Sequence, residues 1–248
     1  MGRSLDNLKN YWPAGTYFHT TLIILKVGVV DNPRSGEKYV QRQLEPFAQN
    51  VDELIITTID DLEAQSSVDR SILKNYTDIY KDNGKSLNNL FNQLLLLHCA
   101  GSKLIDDQTY HTVVFCRDDI LVCKSPIFGF SGPRKGNIII PAFHWHQGYN
   151  DRFMLGTMEI AKLWTRRIHE LEKFHHSRKK LSGETLVKYT LDKSNVNVLA
   201  FPRVFPRIRN NDVVCVERNP LSINRPQEFI KIISAIVKFL VWRFRRYN

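Results

Sequence analysis

The sequence lacks the features that define several classes of protein. Its cysteines are few and are spread over the chain, without the close pairing of a zinc site or the density of a disulfide-stabilised secreted domain: Cys99, Cys116, Cys123 and Cys215. No internal repeat, low-complexity linker or long polar stretch occurs, so nothing indicates extensive disorder. We therefore expect a compact fold with reduced, mostly buried thiols.

Apolar segments of the kind that direct or anchor a chain in a membrane are also missing. The first twelve residues, MGRSLDNLKNYW, contain no apolar region of a secretory signal. The most apolar part of the C-terminal segment is too short to cross a bilayer and contains two lysines. The expected location is therefore cytoplasmic.

Acidic residues are outnumbered by basic ones, 25 against 35, which gives a net charge of +10. Such an excess favours an anionic partner, either nucleic acid, a phosphate-bearing substrate or a membrane surface; a merely solvated basic surface is the alternative. The basic residues concentrate towards the C-terminus rather than in one stripe with interleaved aromatic residues: 166–167, 178–180, 203, 207, 209, 243, 245 and 246. This distribution argues against a nucleic-acid-binding face.

The hydrophobic pattern is that of an α/β protein with a mostly parallel central sheet flanked by helices. It predicts strands over residues 20–30, 51–58, 112–115, 137–141 and 196–205, the last of them at an edge. Helices are predicted over residues 38–48, 60–80, 87–99, 154–174, 184–191 and 229–248. The initial strand, helix, strand order implies a right-handed parallel crossover.

The C-terminal helix divides the chain into residues 1–225, a single domain, and residues 226–248, a basic amphipathic helix. One predicted face is apolar and the other carries lysine and arginine. Either the apolar face packs on the domain, or the helix lies in an anionic membrane interface on the cytosolic side.

Two acidic residues follow the apolar stretch VVFC, where Arg117, Asp118 and Asp119 stand together. Adjacent carboxylates at the end of a buried strand need a metal ion, an arginine or solvent to compensate them. They are suited to a divalent metal that bridges two phosphates, although such pairs also form turns and cap helices.

A second polar cluster, FHWHQGYNDRF, lies between strand 137–141 and the predicted helix 154–174. This places it at the carboxyl edge of the sheet, where α/β folds bind ligands. His144 and His146 share a face of an extended segment, so they bind metal, line a pocket or are plain loop residues. Asp151 is either a general base or, like Asn150, an N-cap of the following helix.

These motifs, in this order, resemble the GT-A-type glycosyltransferases of viruses, bacteria and marine algae that act on surface glycans. The matching pieces are a strand ending in Arg-x-Asp, then Pro-Ile, then Ile-Pro, then Gly-x-Asn-Asp-Arg-Phe-x-x-Gly: here residues 117–119, 126–127, 140–141 and 148–156. Weaker similarity at 51–54 and 183–186 extends the resemblance over about residues 20 to 212.

The resemblance implies a GT-A-like single domain that transfers a sugar from a nucleotide-sugar donor to a glycan or glycoprotein acceptor. It implies that Asp119, with Asp118, binds Mn²⁺ or Mg²⁺ and the diphosphate. Arg117 occupies the first position of the motif, which is an acid in the Asp-x-Asp form that binds metal and diphosphate, and an arginine neutralises phosphate directly. Gly28 is the nearest match to the family's glycine beside the nucleotide.

For the acceptor end, the resemblance implies that Asp151 is the catalytic carboxylate, which acts as the general base on the acceptor hydroxyl if the reaction inverts the anomeric configuration. The residues that it places around the acceptor or the transferred sugar are His144, His146, Asn150, Arg152 and Glu184. No nucleic-acid partner is expected.

Two other interpretations remain open. A metal-dependent nuclease or nucleic-acid-binding protein would fit the charge, but Asp119 and Lys124 lack the intervening acid of a restriction-type site. A non-catalytic transferase fold that serves as an assembly partner would fit the arginine in the metal motif.

Overall fold

The structure, a computed structural model, describes residues 17–25, 29–32, 37–41, 51–104, 110–117, 120, 133–202, 205–208, 214–215 and 226–247. The chain divides into two compact units. One comprises residues 1–62, 117–131 and 205–218, and the other residues 63–116, 132–204 and 219–248. Groups of strands and groups of helices follow each other along the chain, so the coarse prediction of an α/β protein is confirmed.

In the first unit, strands β1 (Thr21–Leu25) and β4 (Glu53–Thr57) pair in parallel, as the sequence predicts. The Thr21 hydroxyl donates to Oε2 of Glu53 at 2.9 Å across this pair. Strand β4 is not buried on both faces, because Ile56 is 46% exposed.

Between β1 and β4 the chain forms an antiparallel hairpin of β2 (Val29–Asn32) and β3 (Glu37–Gln41). The predicted strand over residues 20–30 is therefore split, and the predicted helix over residues 38–48 is wrong at its start. In the sequence, residues 33–36 lie between the two strands, and the Pro, Ser and Gly among them favour a turn that reverses the chain. Strands β9 (Arg207–Ile208) and β10 (Val214–Cys215) form another antiparallel pair.

The second unit contains a four-stranded mixed sheet in the order β5, β7, β6, β8. Its strands are β5 (Val113–Cys116), β6 (Asn137–Pro141), β7 (Phe153–Gly156) and β8 (Asn197–Phe201). Strand β6 is parallel to β8, whereas β7 is antiparallel to both of its neighbours. The expectation of a mostly parallel sheet is wrong for this sheet, while the predicted edge position of β8 is confirmed.

The helix predicted over residues 154–174 is wrong at its N-terminal end. Residues 153–156 form β7, all four buried, and helix α3 begins only at Met158 after an N-cap at Thr157. A short apolar run flanked by polar residues suits a buried strand as well as a helix, and pairing with β5 and β6 decides the outcome here.

The helices of the chain begin with α1 (Ile59–Gln65) and α2 (Lys85–Ser102), and a 3₁₀ turn (Arg70–Asn75) separates them. The predicted helix over residues 60–80 is thus interrupted. Helix α3 (Met158–Thr165), a 3₁₀ segment (Arg166–Glu170) and α4 (Leu171–His175) follow each other directly. Helix α5 (Gly183–Lys193) matches its prediction.

Helix α6 (Pro226–Tyr247) packs on β8, which confirms the packing interpretation of the C-terminal segment. Ile232 and Ala235 belong to the core with Ile138, Ile140 and other buried residues of the sheet and helices. The ring of Phe239 lies 6.4 Å from that of Phe201 in β8. Among the described residues, no helix is long and apolar enough to cross a membrane.

Candidate functional site

The loop of residues 142–152 lies at one edge of the mixed sheet. It leaves β6 at Pro141, which is in register with Phe201 at the end of β8. It enters β7 at Phe153, opposite Cys116 at the end of β5. The carboxyl ends of β5, β6 and β8 therefore share this edge with the loop, as the sequence predicts, and ligands of α/β proteins bind at such edges.

Asn150 holds this loop together from inside. The residue is fully buried; its amide nitrogen donates to the Phe143 carbonyl at 2.9 Å, and its amide oxygen accepts from the backbone N–H of Arg152 at 2.9 Å. The indole of Trp145 donates to the Pro141 carbonyl at 2.8 Å. Asn150 therefore stabilises the loop by hydrogen bonds within it. It does not cap a helix, because the loop is followed by a strand.

Three residues of the loop have left-handed backbone conformations that are unfavourable for side chains other than glycine: His144 at φ 54°, His146 at φ 35° and Gln147 at φ 69°. The His144 ring is buried and stacks on the exposed His146 ring at a centroid distance of 5.6 Å. Such conformations persist only where the surroundings impose them, and they are concentrated at functional sites.

The loop is held against the start of α5 by a close backbone approach at Gly148. A β-carbon on Gly148 would lie 1.9 Å from the Glu184 carbonyl oxygen, so no other residue fits without movement. The next residue, Tyr149, donates its backbone N–H to the same oxygen at 3.0 Å. Only glycine allows this approach.

A second glycine contact brings the carboxylate of Asp151 to the same helix start. A β-carbon on Gly183 would lie 2.3 Å from Oδ2 of Asp151. A capping box fixes the helix start: the Ser182 hydroxyl accepts from the Thr185 N–H at 3.2 Å, and the Thr185 hydroxyl accepts from the Ser182 N–H at 2.9 Å. Asp151 and Glu184, far apart in the sequence, therefore meet.

This proximity changes the ionisation of Glu184. Burial and then the negative charge of Asp151 raise the pKa of Glu184 to about 7, against the opposing effect of the Arg152 charge. A carboxyl group with this pKa holds a proton for part of the time at neutral pH. It is thus able to donate a hydrogen bond, whereas an ordinary carboxylate only accepts them.

A buried arginine lies beside the two acids. Arg167 is 1% exposed; its Nε donates to the Trp164 carbonyl at 2.8 Å, and its guanidinium lies 4.1 Å from the centroid of the Trp164 ring. Burial lowers the pKa of Arg167 to about 10, and the charges of Asp151 and Glu184 oppose that change. Its Nη2 is buried without a hydrogen-bond partner among the described residues.

Arg167 is a site residue that the sequence analysis missed, since it was grouped with Arg166 as part of a basic surface. The signal was present in the spacing. Arg167 follows Trp164 by three residues and precedes Ile168, so it shares the buried face of this helical segment, whereas Arg166 is exposed. A basic residue on the apolar face of a helical segment indicates a buried charge.

Of the predicted diphosphate end, only Arg117 lies within the described residues, where it directly follows β5. Gly28, Asp118 and Asp119 lie outside the described residues. Within the described part of the chain, no group of three His, Cys, Asp or Glu side chains is arranged to hold a metal ion. The predicted metal site at Asp118 and Asp119 therefore stays a prediction.

The loop of residues 142–152 thus carries five of the predicted acceptor residues, His144, His146, Asn150, Asp151 and Arg152. The structure brings Asp151 close to the sixth, Glu184, and to Arg167. We call the set of Asp151, Glu184 and Arg167 the acid cluster. Comparison of the chain with protein-family models, with curated proteins and with solved structures finds no match in any of the three.

Proposed function

We propose that this protein is a glycosyltransferase that transfers a sugar from a nucleotide-sugar donor to a hydroxyl group of a glycan or glycoprotein. The observation that carries the proposal is the meeting of Asp151 and Glu184 at the carboxyl edge of the sheet, with Arg167 buried beside them. Two neighbouring acids, of which Glu184 has a raised pKa, are able to provide both a base and a hydrogen-bond donor.

In the proposed reaction, Asp151 is the general base. Its carboxylate takes the proton of the acceptor hydroxyl while that oxygen forms a bond to the anomeric carbon of the donor sugar. The bond from this carbon to the diphosphate breaks, and the nucleoside diphosphate leaves with the electron pair. Asp151 is 8% exposed, so little bulk water competes with the acceptor for it.

Glu184 is proposed to orient the acceptor. With a pKa raised to about 7, it holds a proton part of the time and donates a hydrogen bond to a sugar oxygen next to the reacting hydroxyl. The charge of Arg167 compensates the two acids in a buried environment, where an uncompensated charge would be costly. The exposed His146 ring offers a further polar contact at the loop surface.

The donor end rests on the sequence motif. We propose that Arg117 neutralises the diphosphate, that Gly28 approaches the nucleotide, and that Asp118 and Asp119 would hold Mn²⁺ or Mg²⁺. The bound metal would supply charge neutralisation of the leaving diphosphate. The finer fold assignment, a GT-A-like domain, belongs to the same proposal, and the parallel pairs β1–β4 and β6–β8 support it.

The test is a panel of nucleotide sugars, measured by thermal shift and by release of nucleoside diphosphate, with Mn²⁺ and with a chelator. We expect at least one donor to stabilise the protein and to be slowly hydrolysed. Asp151→Asn should lower turnover by about a hundredfold or more while donor stabilisation persists. Glu172→Gln, on the exposed face of α4, is the matched control and should retain full activity.

Two outcomes would contradict the proposal. One is the absence of any donor that shifts the melting temperature or is turned over. The other is turnover that survives Asp151→Asn unchanged, because the acid cluster would then have no part in the chemistry.

A further inference from the structure

Helix α6 has a second apolar stripe that faces away from the domain. Its members are exposed by between 38% and 66%: Ile230, Ile233, Val237, Leu240 and Val241. They recur at intervals of three and four residues, so they form one continuous stripe along the helix. The inward stripe consists of other residues, Ile232, Ala235 and Phe239. We call the exposed set the outer stripe.

Cations border the outer stripe. Lys231 and Lys238 are both exposed. At about 100° per residue they lie on the same side of the helix, about two turns apart, and this side borders the apolar residues. Ser234 lies between them and the stripe. The sequence of α6 contains five basic residues, and its single acidic residue is Glu228 near the start. The exposed surface of residues 230–241 is therefore apolar along one side and positively charged along the next.

We propose that the outer stripe and its two lysines dock on the surface of an anionic lipid bilayer. Apolar side chains of such a helix enter the boundary between headgroups and acyl chains, while lysines extend to the lipid phosphates. Each basic residue near an anionic surface adds to binding, and the chain as a whole carries a charge of +10.

The charge pattern favours lipid over a second copy of this chain. Two copies joined through their outer stripes would bring Lys231 and Lys238 of each copy near each other, and residues 230–241 offer no acidic side chain to pair with them. A bilayer with anionic headgroups supplies the missing negative charge along the whole helix.

The inward stripe holds α6 on the domain while the outer stripe stays exposed to bind the bilayer. Phe239 packs against Phe201, and Ile232 and Ala235 belong to the domain core, so α6 does not need to leave the domain to bind. No described helix is long and apolar enough to span a bilayer. The contact is therefore peripheral, and it is independent of the acid cluster and of the proposed transferase activity.

The experiment is co-sedimentation of the full chain with vesicles of phosphatidylcholine alone and with vesicles of equal parts phosphatidylcholine and phosphatidylglycerol. We expect binding to the anionic vesicles only. Ile233→Ser combined with Val237→Ser should weaken the partition coefficient about tenfold. Lys231→Gln combined with Lys238→Gln should weaken it about thirtyfold, from about fivefold per cation.

The controls are substitutions of exposed residues outside α6. Tyr80→Ser removes an equally exposed apolar side chain, and Lys179→Gln with Lys180→Gln removes two exposed cations; both should leave binding within about twofold of the wild type. All altered side chains are exposed, so circular dichroism and melting temperatures should show folded variants.

Absence of binding to the anionic vesicles would overturn the proposal, as would equal binding to both kinds of vesicle. Binding that is insensitive to the outer-stripe variant would also overturn it. The proposal would also be overturned if sedimentation analysis shows that the wild type is a dimer and that Ile233→Ser with Val237→Ser dissociates it. The outer stripe would then be an interface between two copies of the chain.

Discussion

Asp151 lies with its carboxylate against the α-carbon of Gly183, so close that a β-carbon at position 183 would stand 2.3 Å from Oδ2 and 3.0 Å from Cγ. Gly183 is the first residue of α5. The amino end of a helix favours negative charge, so this contact places the Asp151 carboxylate in a favourable field and beside Glu184. The whole acid cluster depends on the absence of a side chain at residue 183.

Replacing Gly183 by alanine tests this contact. The added methyl group must displace the Asp151 carboxylate, and we expect a loss of about 1–3 kcal/mol in the free energy of unfolding together with a marked loss of turnover. Urea denaturation and the donor assay measure the two effects. Gly136→Ala is the control: nothing lies within 4 Å of its added carbon, but its φ of 76° makes alanine strained there. It should lose about 1 kcal/mol of stability and keep full activity.

The raised pKa of Glu184 predicts a specific pH dependence of stability. Between its ordinary value of 4.5 and about 7, the folded protein holds a proton that the unfolded chain has released. The contribution of Glu184 to stability is therefore complete below pH 4.5 and is lost as the pH rises through about 7. Over this window the unfolding free energy of the wild type should fall, relative to Glu184→Gln, by about 3 kcal/mol.

Urea denaturation of both proteins across this pH range measures the difference, and subtraction removes the contributions of the titrating groups that do not interact with Glu184. Glu172→Gln, which removes an exposed carboxyl group, is the matched control for the substitution itself. A constant difference between the wild type and Glu184→Gln would show that Glu184 titrates normally.

Arg167→Met tests the buried cation. The variant loses the hydrogen bond to the Trp164 carbonyl and removes the Arg167 charge from beside Asp151 and Glu184. We expect a decrease of about 3 kcal/mol in the free energy of unfolding. The neighbouring Arg166→Met removes an equal charge from an exposed position and should change stability by less than about 0.5 kcal/mol. Equal effects of the two substitutions would refute a buried role for Arg167.

Substitutions in the inward stripe and in the outer stripe of α6 are expected to change the free energy of unfolding by different amounts. Phe239→Ala removes a ring that is 2% exposed and packs on Phe201, so thermal or urea denaturation should show a loss of about 3–5 kcal/mol. Val237→Ala, at a position that is 50% exposed, should change stability by less than about 0.5 kcal/mol. Comparable losses at both positions would mean that the outer stripe is also packed.

The sequence was a good guide to element position where the pattern was long or sharply bounded. Helices α2 and α5 and strands β4, β5 and β6 lie within about three residues of their predicted bounds. The sequence predicted the wrong element where a short apolar run is compatible with both a strand and a helix. Residues 153–156 are a strand because β5 and β6 flank them, and residues 37–41 are a strand because β2 pairs with them. Such pairings are non-local, and local periodicity does not contain them.

The sequence by itself also determined which polar residues follow β6 and that the C-terminal segment is an amphipathic helix. Only the tertiary structure decided that Asp151 meets Glu184, that Arg167 is buried beside them, and that the apolar residues of α6 form two stripes with different surroundings. Helical spacing places Ile232 and Ile233 on one broad apolar face, yet the domain covers the first and leaves the second exposed. The physical reason is that these properties depend on which surfaces approach each other, and residues distant in the sequence supply those surfaces.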